Sequence, residues 1–214
     1  MRRPLGLAAI ACLLVCNARV ARAQAKWEFW PEAQLNFPAK SAFQGQVLSS
    51  WTAGQDSAYR QLQIGGDVLY SGVPHLQLST GYSYYYTPAQ AKDENRLIAE
   101  VTGDVTLPAE LGLFDRNRFE WRWVNGVYST RYRNRLRLQR TVPLANDHWV
   151  QPYAEVEIYY TFSSASITRV LTQIGAVYKV APWVTLDGGY VHQNDQSASV
   201  NNVNAIELTV NFYW

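Results

Sequence analysis

From Trp27 onward, apolar and polar positions alternate with a period of two, in long runs separated by turn-forming clusters. Trp27, Phe29, Pro31, Ala33, Leu35 and Phe37 alternate with Glu28, Trp30, Glu32, Gln34 and Asn36. Leu97, Ala99, Val101, Gly103, Val105 and Leu107 alternate with Arg96, Ile98, Glu100, Thr102, Asp104 and Thr106. A third run sets Val150, Pro152, Ala154, Val156, Ile158, Tyr160 and Phe162 against Gln151, Tyr153, Glu155, Glu157, Tyr159 and Thr161. Period two sends alternate side chains to opposite faces of a strand. The pattern predicts strands over roughly 27–37, 42–52, 59–72, 75–86, 95–107, 116–125, 131–142, 149–162, 167–180, 183–193 and 203–214. Beyond the first 23 residues no helical repeat competes with it, so the expected class is all-β.

Strands of ten or more residues joined by alternating short and longer connectors predict an antiparallel transmembrane β-barrel. A soluble sandwich has shorter strands, near five or six residues. In hydrocarbon every backbone group must bond within the protein, so a sheet can cross only when closed. Aromatics then gather at the two interfaces, where Tyr82, Tyr84, Tyr85, Tyr86, Trp121, Trp123 and Trp183 are candidates. The strand count needs a decision, because bacterial barrels of one chain have even numbers. Pro31 cannot donate to a ladder, so the expectation takes residues 27–37 as only partly in the wall. Ten strands remain; a split strand would give twelve.

The first 23 residues have a different character. Arg2 and Arg3 precede the apolar stretch Leu5 to Cys16, and small-x-small sites follow at Ala21-Arg22-Ala23 and Ala23-Gln24-Ala25. This is the layout of a cleaved export signal, and the stretch is too short to span a bilayer. The expected organisation is a signal peptide over 1–23, cut after Ala23 or Ala25, and one barrel over 24–214. Cleavage also removes Arg2, Arg3, Arg19 and Arg22, leaving 15 Lys and Arg against 17 Asp and Glu. No basic field for nucleic acid remains. Both cysteines, Cys12 and Cys16, leave with the signal, so closure rather than disulfides must hold the fold.

The chain end is the most specific motif. Ile206, Leu208, Val210, Phe212 and Trp214 alternate with Glu207, Thr209, Asn211 and Tyr213, and the last residue is aromatic. This resembles the signal read by the bacterial barrel-assembly machinery. Further stretches are Asp115-Arg116-Asn117-Arg118-Phe119-Glu120-Trp121-Arg122 and Arg131-Tyr132-Arg133-Asn134-Arg135-Leu136-Arg137-Leu138. With Pro152-Tyr153-Ala154-Glu155 and Gly188-Gly189-Tyr190-Val191-His192-Gln193, they resemble small exported barrels grouped as a domain of unknown function, number 2490. The resemblance implies a barrel in the bacterial outer membrane, among lipid and lipopolysaccharide, and implies no activity.

The outstanding chemistry is basic. Arg116, Arg118, Arg122, Arg131, Arg133, Arg135, Arg137 and Arg140 hold over half of the cations after the signal. Arg131, Arg133, Arg135 and Arg137 share one strand face. Arginine on the lipid face costs about 2–4 kcal/mol at mid-membrane, so this ladder is expected to face the lumen. Neighbouring strands offer Glu120 on one side and Glu155 and Glu157 on the other. The expected lumen network is Arg118, Glu120, Arg122, Arg131, Arg133, Arg135, Arg137, Glu155 and Glu157. Read structurally, it is an ion-pair filling of a narrow barrel; read functionally, it is a path for small acidic solutes or oligosaccharides.

A lipid hydrolase would place a His two residues before a Ser. His192-Gln193-Asn194 has Asn there, Ser197 is too distant, and His75 and His148 lie near turns without a nucleophile. No enzyme, metal or cofactor is expected. Asp187 and Glu207 could meet across adjacent strands, and Gly65-Gly66 and Gly188-Gly189 are read as aids to wall bending. The expected molecule is a monomeric barrel of structural or unassigned role. A narrow anion-preferring channel is its alternative, and a lipid hydrolase a more distant one.

Overall fold

The computed structural model describes residues 26–38, 42–54, 60–196 and 202–214. The expected signal peptide and Ser197 lie outside the described residues. Long strands follow one another: β1 Lys26–Pro38, β2 Phe43–Gly54, β3 Gln61–Val73, β4 Leu76–Thr87, β5 Lys92–Leu107 and β6 Leu111–Val124. They continue with β7 Val127–Gln139, β9 Trp149–Thr161, β10 Ser166–Ala181, β11 Val184–Asp195 and β12 Asn202–Tyr213. Between β7 and β9, the two-residue β8 Val142–Pro143 folds back on β9 as part of a connector.

Each long strand pairs antiparallel with the next, and β12 closes the sheet by pairing parallel with β1. The wall therefore has eleven strands, where the Pro31 argument gave ten. Pro31 stays in the wall, in register with Leu208 of β12. The β1–β2 ladder instead opens locally: Phe29 pairs with Ala53 and Glu32 with Ser50, and the bridge lapses over Trp30 and Pro31. A proline withholds one donor from the ladder, and a local interruption is enough to absorb that. Parallel closure is what lets an odd number of strands form a closed wall, with Lys26 and Trp214 at opposite ends. Among the described residues no helix is long and apolar enough to cross a membrane.

Outward positions carry the apolar set: Phe29 and Leu35 on β1, Ile64 and Val68 on β3, Leu97 and Val101 on β5, Ile206 and Leu208 on β12 are all exposed. Alternate residues line the interior. Aromatic contacts collect toward the strand ends, with Trp123 against Tyr128 at one end and Trp183 against Phe212 at the other. Tyr82 and Tyr86 are exposed as girdle residues should be. Tyr85 is not. Its parity turns it inward, where it is buried with the Arg96 guanidinium carbon 3.6 Å from its ring centre. A polar outward cluster breaks the apolar exterior: Asn134 donates to Asp115 at 2.5 Å and to Asn117 at 3.2 Å, and Tyr132 donates to Asn117 at 2.5 Å.

Candidate functional site: a two-sided lumen

Four adjacent strands, β5, β6, β7 and β9, turn their charged alternation inward. Register decides who meets whom: Arg118 lies opposite Arg133, Glu120 opposite Arg131, Arg135 opposite Glu157 and Arg137 opposite Glu155. Like charges in direct register would repel, so the long arginines reach diagonally to carboxylates instead. All nine residues of the expected network are brought to this wall.

Five glutamates organise the wall, each contacted by two arginines. Toward the end that carries the 125–126 turn, Glu94 receives Arg96 and Arg122, both at 2.5 Å. At mid-height Glu120 receives Arg131 at 2.5 Å and Arg133 at 3.0 Å. Glu157 receives Arg133 at 2.9 Å and Arg116 at 2.5 Å. Glu100 receives Arg118 at 2.6 Å, with Arg116 at 3.6 Å. Toward the other end Glu155 receives Arg137 at 2.6 Å and Arg135 at 3.5 Å. Glu120 is 0% exposed, a position tenable for a carboxylate only because both its oxygens are matched by guanidinium donors.

Tyrosines fill the gaps between cations. Arg133 and Arg131 lie 4.4 and 5.0 Å from the Tyr159 ring centre, and Arg137 lies 4.0 Å from that of Tyr153. Such stacking supports a guanidinium that is short of water. Tyr153 also reaches across to the far side. Its hydroxyl donates to Asp187 at 2.8 Å and accepts from Gln173 at 2.8 Å, and Gln173 donates to Glu207 at 2.7 Å. Room for that ring comes from Gly175 and Gly189, where an added Cβ would stand 2.6 and 3.0 Å from the Tyr153 hydroxyl. Gly189 therefore serves close approach of a ring as well as the shape of the wall.

The opposite side is acidic on balance, although Lys26 and Arg169 also line it, the latter paired with Asp195 at 2.5 Å. Glu32 on β1, Asp67 on β3, Asp187 on β11 and Glu207 on β12 line the same cavity, whose volume is about 730 Å³. Asp187 and Glu207 do not face each other in register; Asp187 pairs with Thr209, and Glu207 with Gly189. Sequence reasoning left Arg116, a member of the arginine run, outside the expected network, and it passed over Glu94, Arg96 and Glu100 as members of the cationic wall altogether. Their signal was the polar parity of β5, where Lys92, Glu94, Arg96, Ile98 and Glu100 occupy one face.

The histidines are scattered. His75 Nδ1 lies 2.9 Å from Asp104, His148 Nδ1 2.8 Å from the Lys179 carbonyl, and His192 Nδ1 3.0 Å from Asn204 on the outward face. Among the described residues no three His, Cys, Asp or Glu are grouped to hold a metal ion. The terminal alternation is placed at the wall's end, with Ile206 and Leu208 outward. Phe212 stacks on Trp183 at 6.4 Å between ring centres, and the Trp214 amide is tied to the Asn36 carbonyl at 3.0 Å.

A closed wall of long strands, apolar outside and charged within, defines an outer-membrane-type β-barrel. The family described as "Protein of unknown function (DUF2490)" matches residues 22–204, and the chain belongs to that family. Among solved structures, the chain is similar in fold to the β domain of the Bordetella autotransporter BrkA. The TM-score is 0.52 at 16% identity, over 82% of each chain. An anion-selective porin from Comamonas acidovorans matches at TM-score 0.38 and 16% identity, over 79% of this chain and 53% of that one. The siderophore receptor PirA from Pseudomonas aeruginosa matches at TM-score 0.32 and 14% identity, over 79% and 35%. No curated protein matches.

Proposed function

We propose that this chain is a bacterial outer-membrane barrel of structural role, whose lumen is held by the arginine–glutamate wall and which performs no catalysis. One observation carries the reading: five buried or nearly buried glutamates are each shared by two arginines, across four consecutive strands. Cross-links of this kind fix strand register and occupy nearly all the donors that a passing anion would need. The alternative, a path preferring small acidic solutes, draws on the excess of arginine over glutamate in that wall. It is weakened by the carboxylates on the opposite side of the cavity. The barrel works as a monomer surrounded by outer-membrane lipid and lipopolysaccharide, with its last strand read by the barrel-assembly machinery, and it needs neither metal nor cofactor. Single-channel recording on the refolded chain tests the reading. The expected result is a small conductance without marked anion preference; a large anion-selective conductance would favour the channel.

A further inference from the structure

The two walls of the lumen are unequal in a way that selects a ligand class. On one side eight arginines share five glutamates. On the other, Glu32, Asp67, Asp187 and Glu207 take part in none of the ion pairs described above; neutral donors serve three of them, Gln34 to Glu32, Tyr153 to Asp187 and Gln173 to Glu207. Glu32, Asp67 and Arg118 line the same cavity, the two carboxylates from one side and the guanidinium from the other. Arg116, which lines the same cavity, has a buried Nε without a hydrogen-bond partner; Glu100 at 3.6 Å is past that range.

A lone anion entering this space gains at the arginine wall and loses at the carboxylate wall, and a lone cation meets the reverse. A solute carrying both charges, lying across the lumen, gains at both sides at once. We propose that the cavity is a binding site for small zwitterions of amino-acid or short-peptide type. The carboxylate is held toward Arg116 and Arg118, and the ammonium toward Glu32 and Asp67. The cavity of about 730 Å³ has room for such a solute beside the paired arginines. This rests on the barrel reading above and adds to it that the cavity can be reached from water at one end of the barrel.

The test is isothermal titration of the folded, detergent-solubilised chain (residues 24–214) with diglycine, and with acetate and ethylammonium as single-charge probes. Diglycine is expected to bind at least about tenfold more tightly than either probe. Arg118→Gln and Glu32→Gln should each weaken it at least about fivefold, from opposite walls. Asp67→Asn provides a second variant on the acidic side, and heat-modifiable migration reports folding of every sample. Binding of acetate as tight as diglycine, no binding of any probe, or indifference to the wall variants would overturn the inference and leave the barrel intact. A chain that yields no heat-modifiable barrel would overturn both.

Discussion

Arg133 grips Glu157 with two parallel hydrogen bonds, Nε to Oε1 at 3.0 Å and Nη2 to Oε2 at 2.9 Å, while its third nitrogen reaches Glu120 at 3.0 Å. One side chain on β7 thus ties a carboxylate of β9 to one of β6. Bidentate geometry is the strongest form of this contact, and here both carboxylates are buried.

Removing a buried partner should cost far more than removing an exposed one. Glu120→Gln leaves Arg131 without its carboxylate and should lower the unfolding free energy by about 3 kcal/mol. Glu110→Gln, whose side chain is 83% exposed and 3.9 Å from Arg140, should change it by less than about 0.5 kcal/mol. Urea titration of the two variants in detergent compares them. Equal effects would contradict the assignment of the wall.

A second expectation concerns the glycines under Tyr153. Gly175→Ala would drive a methyl to within 2.6 Å of both the Gly188 carbonyl oxygen and the Tyr153 hydroxyl, so backbone must shift. A loss of about 1–3 kcal/mol is expected. Gly188→Ala, one register step away, meets nothing within 4 Å and should be nearly neutral. The same titration reads both, and a tolerated Gly175→Ala would show that the Tyr153 ring and the facing β11 backbone both give way.

The fold was legible because its signals are local. Period two and turn clusters marked all eleven wall strands, although β5 begins at Lys92 and β6 at Leu111, earlier than the sequence pattern had them. The strand count failed at Pro31, since the sequence does not reveal that a single lost donor can be absorbed by a local lapse in one ladder. Tyr85 was misread for a related reason: four tyrosines in five residues look like a belt, whereas parity turns the third of them into the lumen. The cationic wall was visible as an arginine run. Of the acidic wall only Asp187 and Glu207 were visible, as neighbours on adjacent strands, because its members come from β1, β3, β11 and β12, and only the parallel closure of β1 on β12 sets them against the arginines.

Topology follows from the turns. Residues 88–91 and 162–165 lie at one end of the barrel, and the 140–148 connector at the other. If Trp214 lies on the periplasmic side, a tag inserted at Gln90–Ala91 should be reachable from outside intact cells. A tag at Ala145–Asn146 should not be. Protease or antibody access decides it, and access to both from outside would contradict this orientation.

Assembly should depend on the aromatic end. Trp214 is 93% exposed and Phe212 stacks on Trp183 at the rim. Replacing Phe212 and Trp214 together with Ser should leave export intact and abolish most of the heat-modifiable barrel in the outer membrane. Normal barrel yield in membrane fractions would remove the assembly role from this strand.

The most direct measurement is a double-mutant cycle between Arg133 and Glu157, using Arg133→Met, Glu157→Gln and the double variant, read by equilibrium unfolding in one detergent. If the arginine–glutamate wall holds the barrel, the pair should show a coupling of about 1.5 kcal/mol or more, the double variant being less damaged than the singles sum to. A coupling near zero, with both single variants as stable as the parent, would contradict it.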